Sequence, residues 1–299
     1  MEPARGFVFV PFEGVAAPET ICCDGLVEGS RLHLSHWEGN ATPDRYRADT
    51  SVEIALRFND APDPAVAGWP VVNNHFDTDG ALAVWTLRFP TLAARHRALL
   101  VAAAESGDFE EWNDDDGVRL DLAVRALTHG LDDAEAYHAL DARLPRWLGE
   151  LGDAHALWSA PWERLLAEEE RVAEGGVTFA RRGRVLVVEH PDGGAEPPAR
   201  VLNRRVDRDC TRVLVCTSDG ERWRYRYERP GWAWARTVAR PAVPPPGRDG
   251  LGARLGPAWL GEDAPMHETV VRTATPVTDP PEVVLQRLFA LDPLACDET

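Results

Sequence analysis

The segment with the strongest case for chemistry is His75-Phe76-Asp77-Thr78-Asp79-Gly80, which directly follows Val71-Val72-Asn73-Asn74. Asp77 and Asp79 are separated by one residue, so in an extended turn their carboxylates can approach one cation from adjacent positions, and His75 lies on the same alternation. One imidazole and two carboxylates suit Mn²⁺, Mg²⁺ or Fe²⁺ better than a thiolate-rich zinc site. We therefore predict that His75, Asp77 and Asp79 are catalytic residues that bind a divalent metal, with Mn or Mg as the expected cofactor.

Two other stretches can supply further ligands, because one turn cannot fill a six-coordinate shell. His36 and neighbouring polar residues end an apolar run, and Asp108 stands just beyond a predicted helix. We predict His36 and Asp108 as additional metal ligands. Asp49 is a further option, although a helix-capping motif at residues 50–53 already gives it a local explanation.

The same residues have a purely structural interpretation. Asp77 and Asp79 can form an Asx-turn and cap the following helix, with no ligand involved. His36 can be a hydrogen-bonded histidine at a strand end, and Asp108 can be a turn residue where a helix breaks. Gly80 is expected to relieve the turn before a helix that begins near Ala81.

The first 175 residues show strands and helices in alternation, which predicts an α/β domain with a partly parallel sheet. Strands are expected within residues 6–12, 26–37 and 69–74, and Thr50 with Glu53 predicts a helix start. Ligands of open α/β sheets bind at the carboxyl ends of the strands. If the strands before His36 and His75 are parallel neighbours, His36 should lie about 4–10 Å from the Asp77 and Asp79 carboxylates.

Beyond Gly175-Gly176 the apolar period changes to two, which predicts a smaller antiparallel β-rich domain over residues 176–299 with a C-terminal helix near 281–290. Asp219-Gly220 indicates a two-residue hairpin. Trp223, Tyr225 and Tyr227 alternate with arginines, so one face is aromatic; we interpret it as core, although it could also stack a base. Residues 232–240 are predicted as a further strand.

Composition excludes several classes of protein. The net charge is −17 and no lysine occurs, so there is no Schiff-base or Walker lysine, and a nucleic-acid duplex is not an expected partner. The five cysteines lack metal-binding spacing. No signal peptide or long apolar segment is present, so we expect a cytoplasmic protein without membrane contact that acts on a small molecule. The oligomeric state is not predicted.

The His-x-Asp-x-Asp-Gly pattern at residues 75–80, after an apolar strand and before a helix, resembles the first motif of the DHH phosphoesterase superfamily. Members of that superfamily cleave pyrophosphate, short oligonucleotides or cyclic dinucleotides with paired Mn²⁺ ions. The resemblance implies metal ligation by His75, Asp77 and Asp79, and it covers residues 71–87. The sequence lacks both the Asp-His-His triplet and the Gly-Gly-Gly-His motif of that superfamily. The whole chain is also similar to uncharacterised bacterial proteins that share the Asn-His-Phe-Asp-Thr-Asp-Gly segment.

Three hypotheses follow. The first is a metal-dependent hydrolase that resembles a phosphoesterase and acts on a small phosphate-containing substrate. The second is a non-catalytic binding or assembly module in which the 77–80 loop caps a helix. The third is a metal-dependent enzyme of specialised metabolism that acts on no phosphate.

Overall fold

The computed structural model describes residues 5–190, 193, 196–247, 250–261 and 270–296. The chain forms two compact units. Unit 1 comprises Met1–Arg164 together with Trp234–Arg240, and unit 2 comprises Leu165–Ala233 together with Pro241–Thr299.

Unit 1 is built on a four-stranded sheet in which every strand pair is parallel. The strands lie in the spatial order β1-β4-β2-β3. Their bounds are β1 Phe7–Phe9, β2 Ile21–Cys23, β3 Leu32–Leu34 and β4 Val71–Asn73. All residues of β2 and β4 are buried, as expected for parallel strands covered on both faces.

Six helices and most of a seventh belong to the same unit. Their bounds are α1 Ser51–Asp60, α2 Thr78–Arg88, α3 Pro90–Arg95, α4 Arg97–Phe109, α5 Asp115–Thr128, α6 Asp133–Gly149 and α7 His155–Ala173, which continues into unit 2. The predicted capping box at Thr50 and Glu53 is confirmed, since both of its hydrogen bonds are present. The largest apolar core lies between β2, β4 and helices α1, α2, α4, α5 and α6.

Unit 2 contains a six-stranded sheet that is mostly antiparallel, in the order β5-β6-β7-β8-β10-β9. Its strands are β5 Thr178–Arg182, β6 Val185–His190, β7 Arg212–Ser218, β8 Trp223–Glu228, β9 Trp259–Gly261 and β10 Val270–Thr273. Among the described strand pairs of this sheet, only β6 and β7 are parallel. The unit also holds α8 Ala199–Asn203, α9 Leu251–Leu255 and α10 Pro281–Leu291.

The predicted fold class is confirmed: an α/β part with a parallel sheet precedes a β-rich, mostly antiparallel part. Tyr225 and Tyr227 are buried in an apolar cluster of unit 2, which agrees with the interpretation of that face as core. The predicted strand over residues 232–240 is wrong. Gly231–Trp234 is a 3-10 turn, and Trp234–Arg240 belongs to unit 1, where its backbone N–H groups bind other elements instead of a strand.

The two compact units have borders different from the predicted domains 1–175 and 176–299, because α7 crosses the border and the chain returns to unit 1 at Trp234. The division of the chain near Gly175-Gly176 into an α/β domain and an antiparallel β-rich domain stays a prediction. Within the described residues, no helix is both long enough and apolar enough to cross a membrane.

Candidate metal site

Three neighbouring strands of the unit 1 sheet end in polar residues at the same edge. Asp24 directly follows β2, His36 lies two residues after β3, and His75 lies two residues after β4. Because all three strands are parallel, their carboxyl ends meet at one rim. Asp77 is the N-cap of α2 and Asp79 lies in its first turn, so the chain returns immediately to the same rim.

Asp108 joins these residues from the last turn of α4, where the helix ends at Phe109 and Glu110 takes a left-handed conformation. The predicted position of Asp108 just beyond the helix is wrong, because α4 continues for about one more turn and includes this residue. The helix continues through Gly107 because its C-terminal turn is closed by the N–H of Glu110 on the carbonyl of Glu105. The aspartate therefore projects from a fixed helical position.

The carboxyl and imidazole side chains form two ligand groups, and Asp24 belongs to both. One consists of Asp24, His36, Asp79 and Asp108, and the other of Asp24, His75 and Asp77. In each group the candidate ligand atoms all lie within 4.8 Å of one another, a spacing that one cation can span. The described part of the chain thus contains a cluster of aspartate and histidine side chains that could hold a metal ion.

The closest contacts centre on the two histidine Nε2 atoms. His36 Nε2 lies 3.0 Å from Asp108 Oδ2, 3.5 Å from Asp24 Oδ1 and 3.7 Å from Asp79 Oδ2. His75 Nε2 lies 2.9 Å from Asp24 Oδ2 and 3.0 Å from Asp77 Oδ2. His36 is thus slightly closer to Asp79 than the 4–10 Å that we predicted.

Both histidines are oriented through their other ring nitrogen. His36 Nδ1 lies 2.6 Å from the carbonyl oxygen of Asp49, and His75 Nδ1 lies 3.1 Å from Asn74 Oδ1. A carbonyl oxygen can only accept, so the His36 proton is assigned to Nδ1, and the Asn74 amide, whose Nδ2 donates to the carbonyl of Leu26, presents its oxygen to His75. This assignment leaves both Nε2 atoms directed at the carboxylates. Metal-binding histidines have the same arrangement, with the second nitrogen bonded to a carbonyl or carboxylate.

The aspartates are held by backbone and hydroxyl donors. Asp79 accepts from the N–H groups of Ser51 and Val52 at the start of α1, at 2.6 and 2.8 Å. Ser51 Oγ donates to Asp24 Oδ1 at 2.8 Å, and the Gly80 N–H donates to Asp77 Oδ1 at 2.7 Å. Asp77 therefore caps α2 and Asp79 caps α1. Each carboxylate oxygen has two lone pairs, so these bonds leave acceptor capacity toward the centre of the cluster.

A tyrosine fixes the loop that carries His75. Tyr137 Oη donates to the carbonyl of His75 at 2.9 Å and accepts from Asn73 Nδ2 at 2.8 Å. Asn73 Oδ1 in turn accepts from the N–H groups of Gly25 and Asn74. These bonds hold the residues after β4 against those after β2, so the loop presents His75 from a rigid base.

The pKa shifts show how strongly these buried charges interact. Burial alone would lower the pKa of His75, but the Asp24 and Asp77 carboxylates outweigh it and raise the pKa to about 11. Burial would also lower the pKa of His36, yet Asp108 and Asp24 hold it well above its usual range. Both imidazoles are thus in the positively charged form at neutral pH when no other cation is present.

The carboxyl groups divide into one acid that is easily ionised and two that resist ionisation. Burial would raise the pKa of Asp24, but the two histidines outweigh burial and hold it well below its usual range. Burial and the charge of Asp108 raise the pKa of Asp79, and burial and the charge of Asp77 raise the pKa of Asp108 to about 7. The cluster has four carboxyl groups and two imidazoles, and a bound cation would favour the ionised form of the two acids whose pKa values are raised.

Gly80 is required for space rather than for the turn. A Cβ at this position would lie 2.6 Å from Asp24 Oδ2 and 2.8 Å from Asn73 Nδ2. The expectation that Gly80 relieves the turn before the helix is wrong, because α2 already begins at Thr78 and Gly80 is inside it. The missing side chain lets the helix approach the end of β2.

The residues also fit a hard divalent metal. Asp24 Oδ2, His36 Nε2 and Asp108 Oδ2 are buried atoms with no aligned hydrogen-bond partner in the described ranges. Buried polar atoms without partners are rare in folded proteins, and here they point into one cluster. A donor set of carboxylate oxygens and imidazole nitrogens suits Mn²⁺ or Mg²⁺.

The structure brings together all five predicted residues, His36, His75, Asp77, Asp79 and Asp108. It excludes the Asp49 carboxylate from the cluster, since that group binds Arg240 and the backbone of residues 238 and 239. Sequence reasoning missed Asp24, which belongs to both groups. The sequence does contain a signal for Asp24, because this polar residue directly follows the apolar triplet Ile21-Cys22-Cys23. The same pattern, a strand end followed by a polar residue, occurs at Asn74.

Fold and site together define an α/β protein in which the carboxyl rim of a parallel sheet carries a potential metal centre. The chain belongs to DUF6687, a family of unknown function whose profile matches residues 5–258. No curated protein matches it. Among solved structures it is similar to the pGpG-specific phosphodiesterase PggH from Vibrio cholerae, with 10% identity and a TM-score of 0.43, over 92% of this chain and 83% of that chain. The function therefore has to be inferred from the site.

Proposed function

We propose that this protein is a metal-dependent hydrolase of the phosphoesterase type that acts on a small phosphate-containing substrate. One observation carries the proposal: two ligand groups share Asp24 and together contain four carboxylates and two imidazoles, with both histidine Nε2 atoms directed inward. The resemblance of residues 75–80 to the first DHH motif supports it.

Asp24, His36, Asp79 and Asp108 would hold one divalent ion, and Asp24, His75 and Asp77 a second. Mn²⁺ or Mg²⁺ bound there would lower the pKa of a bound water. It would also stabilise the negative charge that develops on the phosphate oxygens. Two divalent cations also balance four carboxylates in charge. Further negative charge would then come from the substrate itself.

Access to the site is asymmetric. The side chains of Asp24, His36 and Asp79 are fully buried and that of Asp108 is 4% exposed, whereas those of His75 and Asp77 are 20% and 39% exposed. A substrate would therefore approach from the side of His75 and Asp77, and the first group would form the enclosed end. A small phosphate ester fits this arrangement because a single phosphoryl group would be enough to reach the ion held near His75 and Asp77.

The helix-cap hypothesis has its own support, because Asp77 does cap α2 and Asp79 does cap α1. Capping explains one or two oxygens of each aspartate. It does not require Asp24, Asp108 or the inward-facing histidine nitrogens. We therefore keep a non-catalytic module as the second candidate, in which the same residues only stabilise the helix starts.

The proposal is tested by metal content followed by activity. Purified protein is stripped with a chelator, incubated with Mn²⁺, dialysed and subjected to elemental analysis, and we expect about two Mn²⁺ ions per chain. The loaded protein is then assayed against phosphomonoesters, phosphodiesters and pyrophosphate, with carboxylic esters and amides as the comparison panel. Asp292→Asn, which alters a buried acid of unit 2, is the matched control.

The expected result is hydrolysis of at least one phosphate compound that depends on Mn²⁺ and is lost on chelation. Failure to retain any Mn²⁺ would exclude the metal centre and leave the helix-cap candidate. Retention of Mn²⁺ with turnover restricted to the panel without phosphate would instead support the metal-dependent enzyme of specialised metabolism.

A further inference from the structure

Seven residues from late in the chain, Trp234–Arg240, belong to unit 1 and contact the metal-site elements. The Trp234 ring lies edge-on to the His36 ring with centroids 5.0 Å apart, and its Nε1 donates to the Asp108 carbonyl at 3.3 Å. The Arg236 N–H donates to the carbonyl of His36 at 2.8 Å. The 234–240 segment is thus hydrogen-bonded to the two stretches of chain that carry His36 and Asp108.

The segment ends at Arg240, whose guanidinium is buried among three acidic residues. Its Nη1 donates to Asp49 Oδ2 at 2.7 Å. Its Nε and Nη2 bind Glu111 as a fork at 2.9 and 2.6 Å, and Nη2 also donates to Glu105 Oε1 at 2.7 Å. The side chain of Arg240 is 2% exposed, so these bonds lie in a poorly solvated environment where they are strong.

Each partner of Arg240 leads to a ligand residue. Asp49 provides the backbone carbonyl that receives His36 Nδ1, and its carboxylate is fixed by Arg240 and by the N–H groups of Val238 and Ala239. Glu105 lies on α4 one turn before Asp108. Glu111 lies just after the end of α4, and its N–H donates to the carbonyl of Glu105. One guanidinium therefore connects the support of His36 with the end of the helix that carries Asp108.

We propose that Arg240 is a positioning residue of the metal site, which acts through Asp49 on His36 and through Glu105 and Glu111 on Asp108. The inference rests on the proposed function. The hydrogen bonds of the Arg240 side chain go to Asp49, Glu105 and Glu111, so its contribution is the geometry of the first ligand group. Supporting residues of this kind commonly change metal affinity by about 10–100-fold when they are replaced.

Unit 2 offers a matched control for the loss of a buried arginine. Arg212 is also 2% exposed, and its Nε binds Asp292 Oδ2 at 2.6 Å. Replacing either arginine by glutamine leaves buried acid without its cation and lowers stability by a similar mechanism. Only Arg240→Gln should change the affinity for metal.

The experiment titrates Mn²⁺ into stripped wild type, Arg240→Gln and Arg212→Gln while free Mn²⁺ is followed by electron paramagnetic resonance. All titrations are performed well below the unfolding temperature of each variant. We expect Arg240→Gln to weaken the tighter-bound ion by about 10–100-fold, and Arg212→Gln to bind like wild type. Arg240→Lys keeps the charge but cannot form the fork on Glu111, so it should lose about tenfold.

The outcomes separate the two proposals. If wild type binds Mn²⁺ and Arg240→Gln binds it equally well, the positioning role is wrong and the metal centre stands. If wild type does not bind Mn²⁺, both are wrong. If Arg240→Gln does not fold, the Arg240→Lys titration decides: affinity equal to that of Arg212→Gln overturns the role, and a loss restricted to Arg240→Lys supports it.

Discussion

The two units bury charge in different ways. In unit 2, Arg212 binds Asp292, and the remaining acceptors of Asp292 receive the Tyr227 hydroxyl and the Leu294 N–H. One positive and one negative group are thus matched, and the three hydrogen bonds are 2.6, 2.9 and 3.0 Å long. This arrangement is complete within the protein.

In unit 1, the rim cluster has four carboxylates and two imidazoles, and the imidazoles need protons to be charged. Three of its buried polar atoms form no aligned hydrogen bond within the described ranges. Burying charge is costly unless it is paired, and the raised pKa values of Asp79 and Asp108 show that ionising all four carboxyl groups of this cluster has a cost that an added cation would relieve. The comparison teaches that buried charge alone does not mark a site, whereas buried charge without internal balance does.

The largest expected effect comes from removing the acid that both ligand groups share. Asp24→Asn should reduce Mn²⁺ affinity by about 100-fold or more, beyond what loss of a supporting residue causes, and should affect both ions. Asp24 has a φ of 64°, a left-handed conformation that asparagine adopts readily, so the backbone should be unchanged. A Mn²⁺ titration measures the affinity, and a far-UV circular dichroism spectrum checks that the backbone is unchanged.

Asp292→Asn is the counterpart in unit 2, because it also converts a buried aspartate to its amide. It should lower the free energy of unfolding and leave Mn²⁺ binding unchanged. Equal Mn²⁺ binding by Asp24→Asn and wild type would remove the distinction between the two clusters.

A smaller effect separates capping from ligation at Asp77. Asparagine caps helices about as well as aspartate, so Asp77→Asn should change the free energy of unfolding by no more than a few tenths of a kcal/mol. It should nevertheless weaken Mn²⁺ binding by about tenfold, because a charged ligand is replaced by a neutral one. Chemical denaturation and Mn²⁺ titration give the two values.

Asp77→Ala provides the reference for capping, since it removes the acceptor of the Gly80 N–H and should also cost about 1 kcal/mol of stability. If Asp77→Asn matches wild type in Mn²⁺ affinity and only Asp77→Ala differs from it in stability, Asp77 is a helix cap and nothing more.

The smallest expected signal is a release of protons on metal binding. The raised pKa values of His36 and His75 keep both imidazoles protonated at pH 7 in the metal-free protein. A metal binds neutral imidazole and ionised carboxylate, and the pKa values of Asp79 and Asp108 are also raised, so loading should release at least about two protons at pH 7, and affinity should fall as pH falls. Calorimetric titration in two buffers with different ionisation enthalpies measures the number. Zero released protons would contradict ligation by these histidines.

Much of unit 1 follows from local sequence. The Thr50 capping box, the strands before His36 and His75, and the polar residues at their ends were predictable because each depends on neighbouring residues. Their convergence followed from a general property of parallel sheets. The sequence also indicated the strand pair around Asp219-Gly220, but the turn is displaced by one residue from the prediction, because Ser218 pairs with Trp223 and the turn is centred on Gly220 and Glu221.

The missed features depend on contacts between distant residues. β2 has only three residues, too few for a periodic pattern, so Asp24 was not recognised as a strand-end residue. Residues 234–240 fall within a segment that we predicted as a strand, but they form hydrogen bonds with His36 and Asp49. No local pattern indicates which distant segment will satisfy Asp49, and the choice is made by burial and charge in the folded unit.

The position of Arg240 also determines when the site can be completed during synthesis. Arg240 follows Asp49 by 191 residues, and all the candidate ligands precede it in the chain. At about 5–20 residues per second, a ribosome needs roughly 10–40 s to pass from one to the other. During that interval the candidate ligands exist without Arg240, so, if the positioning role that we propose holds, high-affinity metal loading would be a late event in the maturation of each newly made chain.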